Sequence, residues 1–435
     1  MTVTLYGTTL AQDRRRLSVN LPGVLTFIAI SALILNPFFG SLAALIFLLF
    51  GLLLIAVSLG RNLHAFLRFW YILLVPIFCI ASVLWSQFPS ETLRYSIQLT
   101  VTFLIAIAIG ASVTPASLLR SMYGAYGIGV LGSVLFGRVR DDIGAWLGIF
   151  GSKNAFASHI SVFTLAAIAV LFDRSASRLL RFSALCGVLA AGPLLIKGQS
   201  VGAVLPLFPT IFVSVMIIFS RYLSRLQKVI AGTVLGTGVA VVAVVALVYG
   251  TEIFDAVLSY SGKDVTLTGR TDLWEFGWRA ISDNPLLGLG YQAFWVQGYD
   301  PAEMLWEEFS IISRMGFNFH NTYIATAVEI GVVGLALEVF ILYSALLSVL
   351  IWAARAPQPA NAFLASLLVL IVLRSFVEVE VFYQFGVSTI MVVTSLVYAR
   401  RQNRQSGRKG TGSRAGTRTK LEYRADKLEG PAAKI

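Results

Sequence analysis

Apolar residues fall in long blocks along this chain and not at the spacing of amphipathic elements in a soluble domain. Blocks of about 15–25 apolar residues are long enough to cross a bilayer as helices. The pattern predicts an all-α polytopic membrane protein with about twelve transmembrane helices. The predicted spans cover residues 21–37, 40–59, 69–86, 97–115, 121–136, 155–172, 182–197, 201–220, 229–250, 321–353, 361–377 and 384–399.

Composition supports a membrane protein. Hydrophobic residues make up 57% of the 435 residues and charged residues only 13%, whereas a soluble domain averages about 25% charged residues. Cys79 and Cys186 both lie inside apolar blocks, so we expect neither a disulfide framework nor a cysteine metal site. The first 20 residues are too polar for a cleaved signal peptide and contain Arg14–Arg16, which is typical of a cytoplasmic flank of the first span.

The distribution of lysine and arginine predicts the orientation. With the N-terminus in the cytoplasm, 24 of the 34 basic residues fall on the cytoplasmic side and ten on the other. The positive-inside rule therefore predicts cytoplasmic N- and C-termini in a bacterial inner membrane. The resulting division is residues 1–20, a cytoplasmic segment; 21–250, helices one to nine; 251–320, a large periplasmic loop; 321–399, helices ten to twelve; and 400–435, a basic cytoplasmic tail. We expect that tail to be disordered on anionic lipid, and we expect no nucleic-acid partner.

The loop over residues 251–320 carries ten acidic and four basic residues, and loops of this length are usually functional. Residues 272–283 have apolar positions at helical spacing, including Trp274 and Trp278, and Asn284-Pro285 ends this pattern. The pattern predicts an amphipathic helix that lies in the lipid headgroup layer.

The strongest motif begins where the loop ends. His320 and Asn321 precede nine residues and then Gly331 and Gly334, which is the pattern H-N-x9-G-x-x-G. It resembles the signature of the O-antigen ligase and Wzy-type polysaccharide polymerase superfamily, and within it the ExoQ-type exopolysaccharide polymerases of rhizobia. The stretches "TGRTDLWEFGWRAISDNPLLGLGYQAF", "SVLWSQFPSETLR" and "GIFGSKNAFASHIS" resemble further elements of that superfamily, and Arg140 with Gly151 and Arg279 with Gly290 fit its R-x10-G motif.

The resemblance implies a GT-C-like fold and an inverting, metal-independent glycosyltransferase without a cofactor. Its donor would be a polyprenyl diphosphate-linked oligosaccharide, joined at the periplasmic face to a glycan acceptor by a polymerase or to a lipid core by a ligase. Chain-length regulators and export proteins are candidate partners beside the bilayer. A flippase or polysaccharide transporter is the alternative of another class, although we detect no repeated halves, and the densest polar cluster lies in an outer loop.

The chemistry of the arginine and histidine side chains indicates candidate roles for them. Arginines can bind the departing lipid diphosphate through bidentate hydrogen bonds, and a histidine can accept or orient the proton of a sugar hydroxyl. The candidate catalytic residues are His320 and Arg270. The candidate substrate-binding residues are Arg279, Arg140, Arg138, Lys153, Asn154, Trp274, Asn321 and Lys197, the last standing where many ligases have a Ser-Arg pair.

The candidates also have purely structural interpretations. His320 could simply lie at the membrane interface, where amphipathic residues collect. Arg270 and Arg279 could pair with nearby acidic residues of the loop, Arg138 and Arg140 could form salt bridges with Asp141 and Asp142, and Lys153 could reach towards the interface from the end of a span. Gly331 and Gly334 favour close helix packing. His159 favours a buried packing role. The intramembrane carboxylates Glu329 and Glu338 indicate either a functional site or a pair with a buried cation.

Overall fold

A computed structural model describes residues 3–4, 18–141, 143–234, 236–238 and 269–402. Some predictions lie outside these described residues. They concern the remainder of the N-terminal segment, Asp142, most of the ninth span, loop residues 251–268 and the tail beyond 402. The described part is mainly helical, which confirms the helical class of the fold.

The helices and strands follow one another in a simple order. The α-helices are α1 Leu21–Ile34, α2 Asn36–Phe39, α3 Leu42–Val57, α4 Leu59–Arg68, α5 Leu74–Ala81, α6 Pro89–Ser112, α7 Pro115–Phe136, α8 Lys153–Phe172, α9 Arg178–Gly198, α10 Val201–Val204, α11 Leu207–Phe219, α12 225–234, α13 Arg270–Asp283, α14 Asp300–Glu308, α15 Thr322–Arg355, α16 Pro359–Ser375 and α17 387–402. Short 3-10 helices cover Trp70–Leu73, Ser82–Leu84 and Ser220–Tyr222. Two antiparallel strand pairs join β1 Val3–Thr4 to β2 Ser18–Val19 and β3 Arg138–Val139 to β4 Trp146–Gly148.

Several of these helices can cross a membrane. Within the described ranges, five helices are long and apolar enough, and a sixth span is possible if α3 and α4, which are bent by 98°, count as one. Shorter apolar helices cover Leu21–Ile34, Trp70–Leu84 and Pro359–Ser375. The chain is therefore a multi-pass membrane protein, and the number of about twelve spans stays a prediction.

The core is built around α8, whose residues from Phe156 to Val170 are almost all buried by α7, α9, α11 and α16. His159 belongs to this core. Its ring nitrogen Nε2 donates to the Tyr126 carbonyl oxygen at 3.0 Å, and the ring packs between the aromatic rings of Tyr126 and Phe150. This confirms that His159 is a satisfied packing residue.

Helix α15 is folded back on itself. Its regular geometry breaks at Ile330 and Gly331. Two contacts cross this break: the Thr326 hydroxyl donates to Glu338 at 2.6 Å, and the Tyr323 and Tyr343 hydroxyls lie 3.0 Å apart. In a straight helix these pairs would be about 18 and 30 Å apart along the axis. Residues 322–329 and 332–355 are therefore the first and second arms of a helical hairpin, and this turn divides the predicted span 321–353.

The tip of the hairpin is capped by residues 285–290. The free N–H groups of Val332 and Val333 donate to the carbonyl oxygens of Pro285 and Leu286, at 2.9 and 3.3 Å. The N–H groups of Leu289 and Gly290 donate in turn to the last carbonyls of the first arm, Val328 and Glu329, at 3.0 and 2.8 Å. The capping loop thus provides hydrogen-bond partners for the backbone groups at the end of the first arm and at the start of the second, which would otherwise be unpaired.

Gly331 has a role that differs from helix-on-helix packing. Its φ of 64° and ψ of −173° lie in a region that only glycine adopts readily. A Cβ at this position would also collide with the Leu286 carbonyl oxygen. The expectation of close packing holds, but the close neighbour is the capping loop and not a second helix.

Gly331→Ala should therefore destabilise the hairpin. We expect a loss of roughly 1–3 kcal/mol from backbone strain alone, with a further loss from the collision with Leu286. Gly192→Ala is the matched control, since it lies in α9 with no atom within 4 Å of an added Cβ. Thermal unfolding of the two detergent-purified variants measures the effect of each change. Equal melting temperatures for Gly331→Ala and Gly192→Ala would contradict the need for glycine at the hairpin tip.

The two intramembrane carboxylates lie inside the hairpin. Glu329 accepts hydrogen bonds from the backbone N–H of Gln292 at 3.0 Å and from its side chain at 3.4 Å, and Glu338 accepts from Thr326. Both are buried. Neither forms an ion pair with a basic side chain of the described ranges, so the contacts favour a role in holding the two arms and the capping loop together.

Candidate active site

His320 is held in an unusual backbone conformation at the start of the first arm. Its φ is 48°, in the left-handed region that few residues other than glycine, asparagine, aspartate and histidine adopt. The Asn318 side chain accepts from the His320 N–H at 2.8 Å, and the Trp274 indole donates to the Phe319 carbonyl oxygen at 2.8 Å. The backbone before and at His320 is thereby fixed from two sides.

Asn321 and Thr322 join the first arm to the connection between α16 and α17. The Asn321 side-chain oxygen caps the arm by accepting from the N–H groups of Tyr323 and Ile324, and its amide donates to the Phe376 carbonyl oxygen at 3.1 Å. The Thr322 hydroxyl donates to the Glu378 carbonyl oxygen at 2.9 Å. These bonds bring Glu378 to the histidine.

Glu378 is the centre of the cluster. Its Oε2 lies 2.9 Å from His320 Nδ1, and its Oε1 lies 3.0 Å from Arg270 Nη2 and 3.4 Å from Asn154 Nδ2. Arg270 Nη1 donates to the Val377 carbonyl oxygen at 2.9 Å. The side chains of Arg270, Glu378 and His320 are 15%, 22% and 28% exposed, so a ligand can reach a cluster that is largely shielded from water.

The charges of this cluster keep Glu378 ionised. Burial alone raises the pKa of Glu378, but the hydrogen bond from His320 and nearby positive charges, among them those of Arg270 and Arg374, outweigh burial and bring the pKa below its ordinary value. A carboxylate can only accept hydrogen bonds, so Nδ1 of His320 carries the proton. In the neutral imidazole, Nε2 is then an acceptor for a proton from a ligand.

A match to the O-antigen ligase family model covers residues 187–339, which include α13, the capping loop and His320. The exopolysaccharide production protein ExoQ of Rhizobium meliloti (strain 1021) is 34% identical over 388 residues, which are 85% of this chain and 88% of that protein. The chain belongs to the O-antigen ligase and Wzy-type polymerase superfamily, as a member of the ExoQ type. The predicted resemblance is confirmed.

Five of the predicted site residues of this ExoQ-type protein meet in one place. His320, Arg270 and Asn154 contact Glu378 directly, whereas Asn321 and Trp274 hold the backbone on either side of His320. Asn154 is itself held by the Ser200 hydroxyl, which donates to its Oδ1 at 2.9 Å. The contact between residues 154, 200, 320 and 378 joins four segments that the topology prediction placed on the same side of the membrane.

The other predicted residues form no described contact with Glu378, and their substrate-binding roles stay predictions. Arg279 is exposed and pairs with Glu275 one turn away at 2.5 Å. It lies nine residues after Arg270 on α13, on the opposite face and about 13 Å further along. Arg138 donates to the Phe150 carbonyl oxygen, and Lys197 lies over the Trp146 ring at 4.6 Å. Arg140 is exposed in the turn after β3, and Lys153 begins α8.

The predicted amphipathic helix is present, and part of its apolar face packs on the protein. Arg270–Asp283 forms α13, and its buried residues Leu273 and Gly277 face the hairpin. A Cβ at Gly277 would lie 2.5 Å from Ile324 of the first arm. Only Trp278 of the two tryptophans is largely exposed, because Trp274 is bound to Phe319. The protein therefore covers part of the face predicted to meet lipid, and the location of this helix in the headgroup layer stays a prediction.

Sequence reasoning missed Glu378 together with the neighbouring pair Arg374 and Glu380, whose charged groups lie 3.1 Å apart. A signal was present in "LRSFVEVEVF", where three charged residues interrupt an apolar region. Ionisable residues within a predicted span, as Arg374 is, are rare and therefore indicate a functional site.

Proposed function

We propose that this chain is a membrane glycosyltransferase that joins polyprenyl diphosphate-linked oligosaccharide repeat units at the periplasmic face in exopolysaccharide biosynthesis. The observation that carries the proposal is the His320–Glu378–Arg270 cluster, which combines a proton acceptor and a phosphate-binding cation within one partly buried site. The family membership supports a polymerase or ligase, and the similarity to a protein named for exopolysaccharide production favours the polymerase.

Arg270 is suited to binding the leaving group. Cleavage of the anomeric C–O bond releases a lipid diphosphate, whose negative charge a guanidinium can stabilise through paired hydrogen bonds. Two of the five N–H donors of Arg270 bind Glu378 and Val377 in the described structure, which leaves three for phosphate oxygens. The bonds to Glu378 and Val377 also fix the direction of the guanidinium before the donor arrives.

His320 is suited to activating the acceptor hydroxyl. With Nδ1–H donated to Glu378, the free Nε2 can accept or orient the proton of the attacking sugar hydroxyl. Glu378 stabilises the imidazolium that forms and keeps the ring in one tautomer and one orientation. The oxygen of the hydroxyl forms the new bond to the anomeric carbon while the bond to the diphosphate breaks, so the reaction inverts the anomeric centre in a single displacement.

The proposal includes an orientation in which the cluster faces the periplasm and both termini face the cytoplasm, as the basic residues predict. Cysteine labelling tests it in a Cys79→Ser, Cys186→Ser background. Ile312→Cys, at a position that is 97% exposed in the loop before His320, should react with a membrane-impermeant maleimide in intact spheroplasts. Arg178→Cys, at the start of α9, should react only after permeabilisation. The reverse pattern would contradict the orientation and with it the site of synthesis.

The enzymatic proposal is tested with purified protein in liposomes that contain the lipid-linked repeat unit. We expect lengthened lipid-linked glycan, and we expect synthesis to continue in EDTA because Arg270 and not a divalent ion stabilises the diphosphate. Loss of activity in EDTA that Mg²⁺ restores would contradict the metal-independent mechanism. Transfer of the unchanged lipid-linked glycan between leaflets, without lengthening, would favour the transporter.

A deletion strain separates polymerase from ligase. A polymerase mutant should accumulate single repeat units. A ligase mutant should instead make polymer that is not attached to a lipid core.

A further inference from the structure

A cleft of about 370 Å³ lies at the hairpin tip, away from His320. One wall is formed by Trp85 and Gln87, which follow α5, and the other by residues 283–289, which include most of the capping loop. The volume falls in the range of about 300–1,000 Å³ that is typical of small-molecule sites. The proposed chemistry at His320 does not use this cleft.

The walls combine one flat aromatic face and an apolar stretch, formed by Pro285, Leu286, Leu287 and Leu289, with several polar groups. The Trp85 indole is fixed because its Nε1–H donates to the Leu287 carbonyl oxygen at 3.1 Å and its ring packs on Phe78. The side chains of Gln87, Asp283 and Asn284 are exposed around the cleft. Together they offer two amide groups and a carboxylate, which donate and accept hydrogen bonds.

This combination fits a carbohydrate better than a lipid tail. A sugar ring presents C–H groups on one face, which pack on an aromatic ring, and hydroxyls at its edge, which require both donors and acceptors. A lipid tail bound here would displace water from the carboxylate and the amides and offer them no hydrogen bonds in return, at a cost in free energy. We propose that the cleft is a binding subsite for a sugar of the growing glycan.

The position of the cleft relative to His320 supports this assignment, which rests on the proposed function. The first arm leads from His320 to the tip over eight residues, or about 12 Å. The cleft is therefore further from His320 than the sugar that reacts. If the lipid diphosphate binds at Arg270, a glycan that extends towards the tip runs away from its lipid anchor.

A second, smaller cleft continues the polar surface. It holds about 140 Å³ on the other side of Asp283 and Asn284, and Arg279 and Tyr299 line it. Asp283 and Asn284 thus belong to both clefts. This arrangement gives the exposed Arg279 a place beside the glycan and not at the diphosphate.

The test uses full-length protein in proteoliposomes with lipid-linked donors of one repeat and of several repeats. Gln87→Ala removes an exposed amide, Asp283→Asn removes an exposed negative charge, and the double variant combines both changes. Each single change should raise KM for the longer donor about two- to tenfold and shorten the polymer, with kcat within about twofold. Glu308→Gln, an exposed change in the same loop region outside the cleft, should behave as wild type.

The outcomes separate this inference from the proposed function. If wild-type protein lengthens the glycan and all cleft variants match Glu308→Gln in KM and polymer length, the subsite is wrong and the enzyme assignment stands. If wild-type protein does not lengthen the glycan, saturation-transfer NMR of lipid-free oligosaccharide, released by acid from the repeat unit, decides the matter. Binding that the double variant abolishes supports the subsite, and no binding to the wild type overturns it.

Discussion

His320→Ala should lower the rate of glycan transfer by about 10²–10⁴-fold, the usual contribution of general acid–base catalysis. Donor binding should change little, since the diphosphate is assigned to Arg270. Polymer length in cells and turnover of lipid-linked donor by reconstituted protein measure the effect. His159→Ala is not a suitable control because that ring is buried in the core, whereas His64→Ala replaces an exposed histidine on α4. Normal polymer from His320→Ala would leave this histidine with only a structural role.

Arg270→Ala should lower kcat/KM and also weaken donor binding, because removing one partner of a charge-assisted contact costs about 2–5 kcal/mol. Arg270→Lys should recover part of the loss, since an ammonium keeps the charge but cannot bind Glu378 and Val377 with one planar group. Arg94→Ala is the matched control, because Arg94 forms an exposed ion pair with Glu91 at 3.0 Å, and such pairs contribute about 0–1 kcal/mol.

A double variant shows whether Arg270 acts on the donor or only through Glu378. If Arg270 binds diphosphate directly, Arg270→Ala should still weaken donor binding in a Glu378→Gln background. If it only positions Glu378, the double variant should bind the donor as Glu378→Gln does. Binding of the lipid-linked donor to detergent-purified protein distinguishes the two, and the second result would contradict the assignment of Arg270 to the leaving group.

The local parts of the site could be predicted from the sequence. An asparagine directly before an apolar helical run indicates an N-cap, and Asn321 caps the first arm. The family resemblance identified His320 and Arg270 as one functional group, and the structure brings both to Glu378. Glu378 itself follows His320 by 58 residues, and nothing in the periodicity of either segment indicates that they meet.

The hairpin was harder to predict for a different reason. An apolar pattern over residues 322–343 has the same period whether the helix is straight or folded back, so hydropathy cannot separate the two. The position of Arg279 relative to Arg270, in contrast, could be predicted from the sequence. Once a helix begins at Arg270, nine residues amount to two and a half turns, and this geometry alone places the two arginines on opposite faces.

The fold-back also explains why nine residues separate the His320-Asn321 pair from Gly331. Eight of them form the first arm and the ninth, Ile330, begins the turn, so the motif spacing is the length of a helix. One inserted residue would rotate Thr326 and Glu329 by about 100° relative to His320. Either both would then face away from their partners, Glu338 and Gln292, or His320 would turn away from Glu378. The interval between His320 and Gly331 thus fixes both the length of the first arm and the directions in which its side chains point around the helix axis.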